Sequence, residues 1–237
     1  MAFFIPPFFG SPDADRKTVP MKEAIVLSDG VIENNAFLVN FLDGREGAFV
    51  VCADGAVRHL ASTGRVPAAI VGDMDSADPE EIARFRARGS EIHVYPKDKD
   101  KTDTQLAVEL AIDRGYRTVS LLGALGGRID HALANISLLF LGKKRDARIR
   151  IVEPSCELYL LSGSEVLEGE PGQTVSLLPI AEAARGITLT GFRYPLSDGT
   201  LEMGNPFTIS NRLAEARGTV TVREGTVLVV RYFIKAT

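Results

Sequence analysis

The sequence predicts an α/β protein: a doubly wound, mostly parallel sheet over residues 22–148, followed by an all-β sandwich or jelly-roll domain over residues 149–237. Two observations carry this reading. Up to about Arg148, short apolar runs alternate with amphipathic stretches, the pattern of strands buried on both faces and joined by crossover helices. After Ile149, short β-type runs are separated by Gly, Pro, Ser and Asp.

In the first part, residues 24–27, 48–52, 68–71, 92–95 and 119–122 each read as a buried parallel strand. Asp78-Pro79-Glu80-Glu81 opens a helix with an N-cap, a first-turn proline and a capping-box glutamate, and Gly89 closes it. Thr102 and Gln105 form a second capping box ahead of a helix over residues 103–114. Leu106, Ala107, Leu110 and Ala111 share one face of that helix, and Gly115 stops it. Lys143-Lys144-Arg145 reads as a solvated helix end. In the second part, strands are expected over residues 150–153, 157–161, 174–179, 186–190, 219–223 and 227–233. Turns are expected at Ser197-Asp198-Gly199 and Arg223-Glu224-Gly225. This half has roughly ninety residues, near the usual size of such a module. Residues 1–21 are expected to form an extension: they are rich in Phe, carry Pro6 and Pro7, and lack the basic start of a signal peptide.

The chain has 237 residues, of which 45% are hydrophobic and 24% charged, enough for a real core and against long disorder. A formal charge of −4 gives no electrostatic reason to expect nucleic acid or an anionic membrane as partner. A substrate with phosphates would have to be handled by local devices: metal ions, backbone N–H groups or a few placed cations. No apolar run has the length of a bilayer span. Cys52 and Cys156 sit in apolar runs and read as buried thiols of a reducing, cytoplasmic compartment.

Ligands of open α/β sheets bind beyond the carboxyl ends of the strands, and four successive predicted strand ends carry aspartates. They are Ala53-Asp54-Gly55, then Gly72-Asp73-Met74-Asp75-Ser76, then Lys97-Asp98-Lys99-Asp100-Lys101-Thr102-Asp103, then Gly126-Gly127-Arg128-Ile129-Asp130. Any one of these loops alone reads as an ordinary turn. Together they are costly, since two carboxylates ~4 Å apart repel by about 4 kcal/mol at an effective dielectric near 20. A hard cation such as Mg²⁺ offsets that cost. A calcium-binding EF-hand loop is excluded, because Ala77 and Asp78 stand where it needs an Asp or Asn and then a glycine. Gly126-Gly127-Arg128 supplies close backbone approach and a guanidinium for phosphate oxygens. A Walker A loop and a Gly-x-Gly-x-x-Gly fingerprint are both absent.

These motifs resemble the thiamine pyrophosphokinase family, in order Ala53-Asp54-Gly55-Ala56, Gly72-Asp73-Met74-Asp75-Ser76, Lys99-Asp100-Lys101-Thr102-Asp103 and Gly126-Gly127-Arg128-Ile129-Asp130-His131. Asn135 falls in an Ala-Asn-Ile typical of that family. Gly191-Phe192-Arg193-Tyr194-Pro195-Leu196 and Ile209-Ser210-Asn211 resemble its C-terminal signatures. The resemblance implies a homodimer with active sites at the subunit interface, and attack of the thiamine hydroxyl on the β-phosphorus of ATP. Thiamine diphosphate and AMP would be the products.

The resemblance carries metal and phosphate roles onto Asp54, Asp73, Asp75, Asp100 and Asp103, with Mg²⁺ assigned to Asp73, Asp75 and Asp103. It puts Thr102, Gly126, Gly127, Arg128 and Asp130 near the nucleotide, and Ser210 and Asn211 in the thiamine pocket. Some members place a Trp against thiamine; this chain has none, so Phe207, Tyr194 or a partner-chain residue is expected to stack on the ring. A loop carboxylate such as Asp100 is expected to orient or deprotonate the hydroxyl, and His131 reads as a neutral helix-start residue. The alternatives are transfer to another alcohol such as a pterin, a non-catalytic nucleotide or thiamine diphosphate sensor, and a phosphate-ester hydrolase.

Overall fold

The structure is a computed structural model that describes residues 22–61 and 63–235. The expected extension over residues 1–21 lies outside the described residues. The chain divides into two compact units between Pro154 and Ser155.

The first unit follows the order β1 (Glu23–Leu27), α1 (Asn35–Asp43), β2 (Phe49–Ala53), α2 (Arg58–Ala61), β3 (Ala69–Gly72), α3 (Pro79–Ala87), β4 (Glu91–Val94), α4 (Asp103–Asp113), β5 (Thr118–Leu122), α5 (Ile129–Lys144) and β6 (Arg148–Val152). Its strands pair in parallel in the order β6-β5-β1-β2-β3-β4. The chain therefore builds outward from β1 to β4, then crosses back to place β5 and β6 on the other side of β1. That reversal opens a crevice between the ends of β1 and β5.

Apolar runs fill the centre as expected: Ala24, Ile25, Val26 and Leu27 of β1 and Ala69, Ile70 and Val71 of β3 are fully buried. β4 departs from this, since Val94 is 64% exposed. Among the described residues its one neighbour is β3, so residues 92–95 form a sheet edge instead of a strand buried on both faces. β6 also departs from expectation. Residues 150–153 were read with the β-rich half, yet β6 pairs in parallel with β5 and falls before the division between the units.

The helices begin where their caps direct. Asn34 accepts from Phe37 N at 3.1 Å to open α1, and Asp78 accepts from Glu80 N at 2.9 Å ahead of Pro79. Thr102 accepts from Gln105 N at 3.1 Å at the start of α4. The expected capping box there is only half formed, because the Gln105 amide donates forward to Glu109 at 3.0 Å. α4 packs on β1, β2 and β3 and α5 on β6.

The second unit contains β7 (Cys156–Glu168), β8 (Gln173–Pro179), β9 (Ala184–Thr190), β10 (Leu196–Leu201), β11 (Asn211–Arg212) and β12 (Arg217–Lys235), all antiparallel where paired. The expected turn at Arg223-Glu224-Gly225 is instead a bend inside β12. Gly225, at φ +91°, absorbs it, and the strand changes partner there from β9 to β8. β7 likewise runs on past residue 161, through Gly163 at φ +84°. Ser197-Asp198-Gly199, also expected as a turn, is a bulged stretch of β10 against β9. Tyr159, Leu177, Ile187, Leu213, Val220 and Val229 share the core that these strands enclose.

Candidate active site

A cleft of about 480 Å³ opens at the switch point of the parallel sheet. It is lined by the ends of β1 (Ser28, Asp29, Gly30), β2 (Asp54, Gly55) and β5 (Gly123, Gly126, Gly127), together with Thr102 and Asp103 at the start of α4. Every strand here is parallel, so every loop after a strand is delivered to the same sheet edge.

Three of these loops bring carboxylates together. One oxygen from each of Asp54, Asp73 and Asp103 lies within 4.8 Å of the others. Gly72 makes the approach possible: a Cβ there would fall 2.7 Å from the Asp54 Cβ and 3.2 Å from the Asp103 Cγ. Asp54 is 4% exposed and sits at φ +34°, a conformation that Asp tolerates better than bulkier side chains. Its Oδ2 accepts from Ser76 N at 3.1 Å, while its Oδ1 is buried with no hydrogen-bond partner among the described residues. Burial pushes the Asp54 carboxyl above the usual aspartate range; bonds from Ser76 oppose this, and the charges of Asp103 and Asp73 add to it. Lys99 sits 3.0 Å from Asp103 and 3.5 Å from Asp73. Burial alone would lower its ammonium, but its bonds to those two carboxylates outweigh burial and raise it.

An all-carboxylate cluster with an unsatisfied buried oxygen fits a hard divalent cation, and Mg²⁺ is the ion such oxygen donors suit beside phosphates. Asp75 lies outside this cluster. Its carboxylate turns to Lys97 at 2.5 Å, which holds it below the usual range.

The loop from β5 to α5 forms the opposite wall. Gly30 N donates to Gly123 O at 3.0 Å, and Gly126 presses on the β1 loop so closely that a Cβ would meet Val31 N at 2.7 Å. Asn135 donates to Ala124 O at 2.9 Å. Gly127, at φ +93°, has open space beside it. Arg128 forms a two-pronged pair with Asp130, at 3.1 and 2.5 Å. α5 begins without a side-chain cap from its N-cap residue, and the Asp130 carboxylate takes the His131 N–H, so the other first-turn N–H groups and the positive dipole end are left for an anion.

A second groove, about 360 Å³, lies in the β-rich unit and is lined by Tyr194, Pro195, Phe207, Ile209 and Asn211. Tyr194 and Phe207 are both more than half exposed. Asn211 is buried and spends both ends of its amide on the backbone of Tyr194, accepting at 3.1 Å and donating at 2.8 Å.

The same division appears in comparison with known proteins. Residues 45–151 match the family model for the thiamin pyrophosphokinase catalytic domain, and residues 165–227 match that for the thiamin pyrophosphokinase vitamin B1 binding domain. A curated thiamine pyrophosphokinase of Bacillus subtilis is 33% identical over 174 residues, 73% of this chain and 81% of that one. The chain belongs to the thiamine pyrophosphokinase family. A solved thiamine pyrophosphokinase structure from Bacillus subtilis superposes with a TM-score of 0.79 at 28% identity, covering 89% of this chain and 99% of that one. One from Geobacillus thermodenitrificans gives 0.76 at 30% identity, covering 89% and 97%.

Asp54, Asp73 and Asp103 converge, and Thr102, Gly126, Gly127 and Arg128 line the same cleft. The Thr102 hydroxyl is engaged as the α4 cap. Asp100 is exposed and outside the carboxylate cluster, and Asp130 reaches the cleft through Arg128. Phe207 and Asn211 line the β-unit groove. Ser210, at φ +57°, is tied beside it by its N–H to Ser176 at 2.9 Å. Sequence reasoning missed the β1 end, Ser28-Asp29-Gly30. Arg58 holds that loop by pairing with the Asp29 carboxylate and donating to Asp29 O at 2.6 Å. An apolar run ending in Ser-Asp-Gly is the same signal that marked the other strand ends.

Proposed function

We propose that this protein is a thiamine pyrophosphokinase, which transfers diphosphate from ATP to the hydroxyl of thiamine and yields thiamine diphosphate and AMP. The observation that carries the reading is the meeting of Asp54, Asp73 and Asp103, from three separate loops, across a switch-point cleft from Gly126, Gly127 and Arg128. Mg²⁺ would be held by those three carboxylates. When bound, it neutralises charge on the triphosphate.

The chain's own groups do the rest. Arg128 pairs with Asp130 through Nε and one Nη, and its remaining guanidinium N–H groups would meet phosphate oxygens. The open start of α5 and the glycine turn supply backbone N–H groups to the same oxygens. Lys99 balances the carboxylates before substrate arrives. In the β-unit, Tyr194 and Phe207 offer flat apolar faces for a cationic aromatic ring such as that of thiamine. Transfer of this kind depends on positioning and charge neutralisation more than on covalent chemistry. No helix among the described residues is long and apolar enough to cross a membrane. A cytoplasmic homodimer, with active sites at the subunit interface, belongs to the same proposal and is tested by light scattering of the purified protein.

Incubation of purified protein with Mg·ATP and a panel of alcohols decides the acceptor. Thiamine-dependent formation of AMP with stoichiometric thiamine diphosphate is the expected result. AMP formed with a pterin and not with thiamine would replace the substrate assignment. Release of inorganic phosphate without any acceptor would point to hydrolysis.

A further inference from the structure

We infer that Glu153, immediately beyond β6, is a positioning residue for the nucleotide: its carboxylate holds the β5–α5 loop in the form that presents Gly126, Gly127 and Arg128 to the cleft. This rests on the reading of that cleft as the nucleotide site.

Through a single oxygen, Oε1, Glu153 accepts from Ala124 N at 3.1 Å and Leu125 N at 3.2 Å. These are the first two amides after Gly123, where the chain turns at φ +64°. A glycine-rich loop facing phosphates usually offers such amides to the anion. Here the carboxylate claims two of them from the β6 side, so anion recognition is left to the residues that follow. The other tethers act on the opposite polarity: Asn135 donates to Ala124 O, and Gly30 N donates to Gly123 O. Glu153 is thus the acceptor that completes the loop's anchoring, and it satisfies two N–H groups beside the fully or nearly buried Ala124 and Val152. Burial pushes its carboxyl above the ordinary glutamate range, opposed by the two N–H bonds. Two N–H donors meet on one oxygen of a largely buried carboxyl, and removing that acceptor would leave both without this partner.

The role is acceptance of two hydrogen bonds, so an amide at this position keeps it and a methyl does not. The test compares wild type, Glu153→Gln and Glu153→Ala in three measurements. These are KM for Mg·ATP against KM for thiamine, direct titration of a non-hydrolysable ATP analogue by calorimetry, and hydrogen exchange at the Ala124 and Leu125 amides. Glu153→Ala is expected to raise KM for ATP and weaken analogue binding by about tenfold or more, from the loss of both hydrogen bonds. KM for thiamine should stay within about twofold. Exchange at both amides should accelerate in Glu153→Ala, and Glu153→Gln should restore binding and protection to within about threefold.

Unchanged analogue binding in Glu153→Ala would overturn the inference, as would equal losses in Glu153→Gln and Glu153→Ala. If Glu153→Ala does not fold, loss of analogue binding by a folded Glu153→Gln still refutes it, and retained binding and protection support it. Should wild type bind the analogue yet form no AMP with thiamine, the acceptor assignment fails while the binding and exchange comparison still decides the role of Glu153.

Discussion

Replacing Asp54 with Asn should make the metal-free protein more stable and the enzyme nearly inactive. The three clustered oxygens lie within 4.8 Å of each other, so at an effective dielectric near 20 each carboxylate pair repels by about 3.5 kcal/mol. Lys99 offsets part of this, 3.0 Å from Asp103 and 3.5 Å from Asp73, and solvent in the cleft screens more. A net relief of about 1–2 kcal/mol is expected from removing one charge. That corresponds to a rise in Tm of about 2–8 °C. Asn keeps an acceptor for Ser76 N, tolerates φ +34° and gains an amide that can donate to Asp73 or Asp103.

The sign follows from the raised Asp54 carboxyl. A group whose pKa is higher folded than unfolded costs stability once ionised, so the variant's advantage is full above the folded pKa. It vanishes below the ordinary aspartate value of about 3.9. The assay is thermal unfolding in EDTA across pH 3 to 8, paired with AMP formation in Mg²⁺, which should fall about 100-fold or more. A variant that melts lower than wild type in EDTA at neutral pH, or that keeps activity within about threefold, would refute the reasoning.

Gly72→Ala places a methyl 2.7 Å from the Asp54 Cβ and 3.2 Å from the Asp103 Cγ. It should cost about 1–3 kcal/mol in denaturant titration and lower turnover about tenfold or more, since the carboxylates must move apart. Asn211→Ala removes both amide bonds to the Tyr194 backbone. It should raise KM for thiamine about fivefold or more while leaving KM for ATP within about twofold, read by steady-state kinetics. The Arg128 guanidinium holds the Asp130 carboxyl down at about 2. Its side-chain NMR titration should therefore have a midpoint near that value, with the pair intact above the ordinary aspartate range and lost as pH falls through the folded value. Arg128→Gln should return the midpoint toward about 3.9.

The parallel sheet was legible because strands buried on both faces leave continuous apolar runs, as in β1 and β3, and because Asp78-Pro79 and Thr102 are strong helix-start signals. β6 was assigned to the wrong side of the division because an isolated strand sequence does not state its partner; only the chain's return past β1 sets it beside β5. The sequence ends β7 at residue 161, ahead of Gly163, and parts β12 into two strands at Gly225, because a glycine at positive φ reads equally as a turn or as a bend within a strand. The acidic loops were legible as strand ends, and their convergence follows from parallel topology. Which oxygens meet was not legible. Asp73 and Asp75 are two residues apart, and side-chain direction together with Lys97 decides that Asp75 turns outward. Asp54 enters the cluster because Gly72 leaves room for it, a contact between β2 and β3 ends that no local pattern encodes. Sheet order also brings the β1 loop opposite Gly123 and Gly126, which linear order hides.

Anomalous diffraction from crystals soaked with Mn²⁺ and a non-hydrolysable ATP analogue locates the cation directly. The expected result is a peak about 2.0–2.3 Å from oxygens of Asp54, Asp73 and Asp103, with phosphate oxygens completing its shell. A peak seated on Asp75 and Asp100 with none of those three as ligands, or a bound nucleotide with no metal near that cluster, would contradict the assignment.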